Sequence, residues 1–561
     1  MDGTERRLAG CCPRSIGFLL EKRTIEVDRI DSVVINNNKS DFYDTKLETL
    51  AVRSVDVIFG HEDESKNLLK NLNWDFEKEI SAADWKVRTA STEKISQNCY
   101  TGKYCLRVYN RQKKDSGIYM RVYGMKPSTS YYMSLFIKQT TNRTDGHAYS
   151  RIRTLGRYLP MSGGYKNFNL GRLPFMRADD VWRQIGADFC TPAEEVKYHE
   201  FWIRGEPTEI DYAVDTAALT EIPVPANFKK DTDRKINLYR KTNLTVIGKV
   251  PKDAVIVVQL RKHEFGFGTA IKGAAFIGER DIDKNYRKFI LEYFNWAVFE
   301  NDMKWKPMEK RKELFRRIKY VVNHYKGNIT EWDVCNEYLH THFFEDKTGL
   351  LDIIEDEFKE VMKLDPETKL FLNDYQVVRD GQYASAQAML ATYLLSRGTP
   401  VHGIGIQSHL RNLPIRPEQL AKRVQIAGSA GLPITITEFS AHSKDMKVRA
   451  EAVEMAYRVY FSDPKVHAII MWGFGDQYGS FANDFFLTEG PDNKLNEAGK
   501  ALFGLFKKWR TFRRFTSTTG QVNTSFRAFY GDYELSVWKD GKALKKSFVK
   551  VTRDGDNIFH L

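Results

Sequence analysis

Ile329-Thr-Glu-Trp-Asp-Val-Cys-Asn-Glu337 and Leu432-Pro-Ile-Thr-Ile-Thr-Glu438 share one design: a strand-like run that ends on a glutamate. Similar runs recur at Phe265–Ala270, Ala297–Glu300, Lys369–Asn373, Val401–Gln407 and Ala468–Trp472, and helical patterns separate them. The first of these helices is marked by Ile282, Tyr286, Phe289, Ile290, Tyr293 and Phe294, which fall at helical spacing. Strands alternating with helices predict βα units and a parallel sheet. In a βα barrel, residues at strand carboxy-terminal ends face one mouth, so Glu337 and Glu438 should meet there. A lone strand-end glutamate is adequately explained as negative charge at the start of the next helix. Two such residues on different strands, with Asn and His at other strand ends, call for chemistry.

Outward from this core the pattern changes. From about Leu68 to Pro223 short alternating runs follow one another without helices: Cys105–Tyr109, Gly117–Val122, Tyr131–Lys138, Trp182–Phe189, Tyr198–Arg204 and Ile210–Leu219. That rhythm predicts a β-sandwich. Ile236–Leu260 reads as two strands around the Val250–Asp253 turn, and the tail returns to short strands at Ser525–Phe529, Tyr533–Trp538 and Lys546–Val551. The expected division is 1–65 unassigned, 66–224 a β-sandwich, 225–262 a β linker segment, 263–510 a (β/α)8 TIM-type barrel, and 511–561 a small β appendage.

The spacing within the barrel carries a warning. Later strands start about 30–40 residues apart, as a βα unit requires. The interval from Ala297 to Ile329 leaves room for one helix, about Met308–Tyr325, and no second strand. Seven strands are therefore predicted where a closed barrel has eight. A missing inner strand leaves a gap with unpaired backbone groups at its edges.

Composition excludes several classes. Of the 561 residues, 42% are hydrophobic and 28% charged, ordinary for a globular protein. No apolar run approaches the roughly 20 residues that span a bilayer, so no membrane partner is expected. The net charge of +13 is spread out; its densest stretch, Glu309–Lys319, has an apolar stripe of Leu314, Ile318 and Val321, which makes the basic residues a solvated helix face. With no nucleic-acid fold signature beside it, no nucleic-acid partner is expected. Six cysteines are too few for a disulfide scaffold, although Cys99 and Cys105 bracket a turn and can pair. Met1–Leu20 lacks the apolar core of a signal peptide, and five Asn-x-Ser/Thr sequons support secretion only weakly. The 10 Trp, 27 Tyr and 35 Phe suit cores and sugar-stacking platforms equally.

Six stretches then carry a resemblance in order. Trp332-Asp-Val-Cys-Asn-Glu337 and Ile436-Thr-Glu438 resemble the acid/base and nucleophile strands of family 10 glycoside hydrolases, the endo-1,4-β-xylanases. Asn295–Trp305, Phe371–Tyr375, Gly403–His409 and Met471–Asp476 resemble the second, fifth, sixth and eighth strand motifs. The resemblance implies a retaining mechanism with Glu337 as general acid/base and Glu438 as nucleophile, the carboxyl groups standing about 5–5.5 Å apart. It implies that Asn336 holds a sugar hydroxyl at the cleavage point and that His409 bonds Glu438 with Gln407 close by. Glu300, Asn301 and Lys304 would line sugar subsites, and Tyr375 and Trp472 would stack on or border sugars. No metal-ligand set or cofactor motif appears; His340 and His342 are expected at the surface or a subsite edge.

Three departures from the family accompany the match. The third strand, with its Arg-Gly-His motif, has no counterpart between Trp305 and the Arg311–Tyr325 helix. Ser440 stands where an acid often partners the histidine, which predicts a weakly oriented, neutral His409. A second Trp after the eighth strand is absent, with Phe481 as a substitute wall. The front half resembles, more loosely, family 22 carbohydrate-binding modules through Leu69–Glu77, Tyr104–Arg111 and Met125–Tyr131, with Trp85, Tyr119 and Tyr132 as possible stacking residues. The implied activity is hydrolysis of internal β-1,4-xylosidic bonds in xylan or a related β-1,4-glycan by a secreted, extracellular enzyme, impaired if the barrel is left open. The alternative is a non-catalytic polysaccharide-binding protein derived from a xylanase.

Overall fold

The computed structural model describes residues 17–21, 66–79, 84–300, 311–342, 345–346, 349–411, 413–478 and 484–561. Seven parallel strands form the barrel wall: Gly266–Ile271, Trp296–Phe299, Glu331–Asn336, Lys369–Asp374, Gly403–Ile406, Ile434–Ala441 and Val466–Met471. Each lies within two residues of the predicted start. Their side chains are almost all buried because both faces are covered, by helices outside and by packed side chains within. The predicted basic helix is Arg311–Tyr325, with Leu314, Ile318 and Val321 buried.

The expected gap is filled. Gly17–Glu21 lies between Trp296–Phe299 and Glu331–Asn336 and pairs antiparallel with both. Leu19 is opposite Val298 on one side and Glu331 on the other. The seven parallel strands and this one antiparallel strand make a closed ring, with Gly403–Ile406 pairing to Ile434–Ala441. Inserting an amino-terminal strand satisfies backbone donors and acceptors that a seven-strand wall would leave bare. Proline at position 19 donates no ladder hydrogen bond. Leu19→Pro is therefore expected to destabilise the barrel by about 1–3 kcal/mol, the loss when a buried partner goes unsatisfied. Calorimetry against Leu19→Ala checks this; equal melting temperatures would remove the strand from the wall.

In the front half two five-stranded antiparallel sheets share a buried core. One runs in the order Trp85–Arg88, Gly117–Val122, Val196–Glu206, Ser150–Pro160, Lys166–Met176; the other Ser91–Ile95, Cys105–Tyr109, Tyr212–Glu221, Ser130–Gln139, Arg183–Cys190. Four of these ten strands were not expected: Trp85–Arg88, Ser91–Ile95, Ser150–Pro160 and Lys166–Met176. In Ser150–Pro160 the inward residues Ile152, Thr154 and Gly156 alternate with outward Arg151 and Arg153, a period-two pattern with few large apolar residues. Cys99 and Cys105 form a disulfide.

The aromatic candidates of this half are already engaged. Trp85 is buried, its Nε1 donating to Asn73 O; Tyr132 is buried beneath Lys422; Tyr119 stacks on Trp202 with ring centroids 4.0 Å apart. Packing has consumed Trp85 and Tyr132, and Trp202 covers one face of the partly exposed Tyr119.

Residues 225–262 are more than a linker. After the helix Phe228–Tyr239, capped by Asn227, Lys241–Lys249 pairs with Gln521–Phe529, and Ala254–His263 pairs with Phe512–Ser517 and Gly531–Lys539. The segment before the barrel and the appendage after it thus share sheets. The front sheets also dock on the barrel: Arg423 holds Asp188 through two 2.7 Å hydrogen bonds, Gln419 adds a third to Asp188, and Glu418 accepts from Ser130. Buried pairs of this kind are kept because removing one partner strands the other charge.

Candidate active site

Glu331–Asn336 delivers Glu337 to the barrel rim in a left-handed conformation (φ 65°), which non-glycine residues rarely adopt and which clusters at functional sites. The Glu337 backbone N–H donates to Asn373 O at 2.9 Å, tying the turn to the neighbouring strand. Gln407 Nε2 donates to Glu337 Oε1 at 3.0 Å and reaches Asn336 Oδ1 at 3.3 Å. Asn336 Oδ1 also accepts from Asn373 Nδ2 at 3.0 Å, and Thr437 Oγ1 donates to Asn373 Oδ1 at 2.8 Å. A buried amide network therefore runs from Glu337 to the strand that carries Glu438. Gly405 makes room for it, since a Cβ there would sit 2.6 Å from Asn373 Oδ1.

Glu438 is buried, and His409 Nε2 lies 3.3 Å from its Oε2. The chain continues from His409 Nδ1 to Ser440 Oγ (2.8 Å), Ser440 Oγ to His442 Nε2 (2.9 Å), and His442 Nδ1 to Asp484 Oδ1 (2.8 Å). Burial lowers the His442 pKa despite Asp484, so this imidazole is neutral. A neutral His442 gives its one N–H to the Asp484 carboxylate and accepts from Ser440. Ser440 then accepts from His409 Nδ1–H, so the chain fixes which ring nitrogen of His409 faces Glu438. The expectation of a weakly oriented His409 is corrected by these contacts: the acid missing at position 440 is reached two links further on, at Asp484.

Asp333, on the same strand as Glu337, was not singled out in the sequence. It accepts from Asn373 Nδ2 at 3.3 Å, and its pKa is raised well above the ordinary carboxyl range by burial and then by the negative charges of Glu438 and Glu331. Burial and the two neighbouring carboxylates therefore favour its uncharged form, which spares the core a further charge near Glu438.

Glu300 is buried, with Lys272 Nζ 3.8 Å away, and lines a recess with Ala270, Trp472, Phe474 and Tyr478. Trp472 is 5% exposed and its ring meets His409 edge-on at 6.3 Å, so it borders the site more than it offers a face. Tyr375 stacks on His340 at 3.5 Å, leaving one ring face covered. His342 is not at the surface: it is buried against Tyr149 and Tyr338. Asn301, Lys304 and Phe481 lie outside the described residues. Among the described residues no His, Cys, Asp or Glu cluster could hold a metal ion, and no helix is long and apolar enough to cross a membrane.

Paired glutamates at the ends of two parallel barrel strands, each held by an amide or imidazole, are the kind of arrangement that two-carboxylate glycoside hydrolysis needs. Residues 311–496 match the model of glycosyl hydrolase family 10. That part of the barrel is similar to glycosyl hydrolase family 10, and the relatives that the chain matches include xylanases. Anti-sigma-I factor RsgI6 of Acetivibrio thermocellus is 31% identical over 382 residues, covering 58% of this chain and 49% of that protein. Endo-1,4-beta-xylanase 1 of Arabidopsis thaliana is 28% identical over 425 residues, 64% of this chain and 43% of that protein. The chain thus spans about half the length of the curated relatives it matches. Among solved structures, the CBM22-1–GH10 modules of Clostridium thermocellum Xyn10B complexed with xylohexaose align at TM-score 0.35 and 15% identity, over 74% of this chain and 94% of that one.

Proposed function

We propose that the chain hydrolyses internal β-1,4-xylosidic bonds in xylan with retention, through a glycosyl-enzyme on Glu438. The observation that carries this reading is that two strand-end acids are each held at one rim, Glu337 by Gln407 and Glu438 by His409. Glu337 protonates the leaving oxygen and then deprotonates the water that opens the intermediate. Asn336 and Glu300 serve the sugar; Asn301 and Lys304 are assigned the same task by the family motif. The two front sheets, 66–224, are read as a carbohydrate-binding β-sandwich module, 263–510 as the catalytic barrel, and an extracellular polysaccharide as the setting. The parallel third strand of the family is read as deleted. Loss of catalysis, leaving a polysaccharide-binding protein, is the second reading; the retained hydrogen bonds of both glutamates weigh against it. Release of reducing sugar from soluble xylan, with the β-anomer appearing first by proton NMR, tests the proposal. An α-anomer appearing first would mean inversion.

Within this reading His442 and Asp484 position His409 rather than touch sugar. Asp484→Asn is expected to lower kcat about 10- to 100-fold with KM little changed, the pattern of a lost transition-state contact. It should also shift the pH profile, because the polarity of the hydrogen-bond chain is no longer imposed. Steady-state kinetics across pH checks this; a wild-type profile would leave Asp484 with a structural role only.

A further inference from the structure

The outer face of one front sheet carries arginines where strands lie side by side. Arg153 is directly opposite Arg204 on one neighbouring strand and Arg172 on the other. Like charges facing one another across a sheet destabilise it, so this arrangement calls for an explanation. Arg88 adds a fourth guanidinium, set over the Trp202 ring beside that of Arg204. The carboxylates on this face do not balance the row. Glu206 pairs with Arg153 at 2.6 Å and Asp115 with Arg88 at 2.9 Å, while Glu200 is engaged by Arg121 and Arg157. Among the described residues Arg172 and Arg204 have no ion-pair partner. Arg204 is half-buried, its Nε has no hydrogen-bond partner, and burial disfavours its charge; the attraction of Asp115 is opposed by repulsion from Arg153, Arg88 and Arg157.

The row leads toward the catalytic rim. The Arg172 guanidinium lies 6.0 Å from the Tyr383 ring of the barrel, and Tyr383 packs 4.4 Å from His340, which stacks on Tyr375. His340 follows Glu337 by three residues, and its N–H donates to Glu337 O.

We infer that the Arg204–Arg153–Arg172 row is a binding site for carboxylate groups on the glycan that the barrel cleaves, so that the substrate class is an acidic, uronate-bearing chain. The inference rests on the reading that the chain acts on a polysaccharide. Arginine suits the task because its planar fork of donors matches a carboxylate, and an incoming anion would neutralise charges that the fold leaves unpaired. The row is continuous across three strands, so one bound chain can present successive carboxylates to it.

The test uses the full chain carrying Glu438→Gln, so that binding is read without turnover, and two probes: uronate-bearing xylan and the same polymer after carboxyl reduction. The acidic form is expected to bind about tenfold more tightly at low salt, as one added charge-assisted hydrogen bond gives. High salt should shrink the difference. Arg172→Gln with Arg204→Gln should abolish it while the melting temperature is held or raised, since a like-charge contact is relieved. Equal binding of both polymers, or a preference unchanged in the double variant, would overturn the site and leave the hydrolytic reading intact. Tighter binding to a single-stranded oligonucleotide than to the acidic glycan would also overturn it. Failure of the unsubstituted chain to hydrolyse either polymer would instead remove the reading on which the site rests.

Discussion

Glu438→Gln is expected to reduce sugar release from xylan by at least about 10³-fold, a loss of more than about 4 kcal/mol of transition-state stabilisation. An amide is too weak a nucleophile to form the glycosyl-enzyme, and it is isosteric, so the fold should survive. The substitution also removes the negative charge that His409 Nε2 faces at 3.3 Å. The His409–Ser440–His442–Asp484 chain should then retain its hydrogen bonds. Turnover within tenfold of wild type would assign the nucleophile elsewhere.

The second large effect is at Glu337. Glu337→Gln keeps a group that can still meet Gln407 but cannot donate a proton to the leaving oxygen. Xylan cleavage should fall by about 10²–10⁴-fold, the usual range for a general acid. Aryl xylosides with very good leaving groups need little protonation, so their first step should be nearly spared and glycosyl-enzyme should accumulate as a burst. Measuring both substrates separates this from a folding defect, which would depress them together. Equal losses on both would place Glu337 outside the proton-transfer step.

These expectations rest on features that differ in how openly the sequence shows them. Glu337 and Glu438 were readable because each ends a strand-like run, and strand ends in a βα barrel share a rim. The spacing that argues for one strand too few was readable as well. Its solution was not: Gly17–Glu21 is five residues in an otherwise polar stretch, and its place is set by backbone pairing with strands hundreds of residues away. The same limit hid His442 and Asp484, which meet across 42 residues with no shared motif. Ser440 looked like a loss because the pattern stops at the first neighbour of His409. Asp333 went unread because nothing in a strand distinguishes a carboxyl that faces the barrel interior from one that faces a helix. In the front sheets, Ser150–Pro160 was passed over because arginines occupy its outward positions and small or polar residues many of its inward ones. For Trp85, Tyr119 and Tyr132 the sequence left sugar stacking and core packing equally open, because composition does not reveal which aromatic faces packing has already used.

The most direct test of the central claim is covalent trapping. The purified chain would be incubated with a 2-fluoro xylobioside bearing a good leaving group, then weighed intact and peptide-mapped by mass spectrometry. The account predicts one added fluoro-glycosyl group on the peptide that contains Glu438, with none on the Glu438→Gln protein. No adduct, or an adduct on another residue, would contradict a retaining site at Glu438.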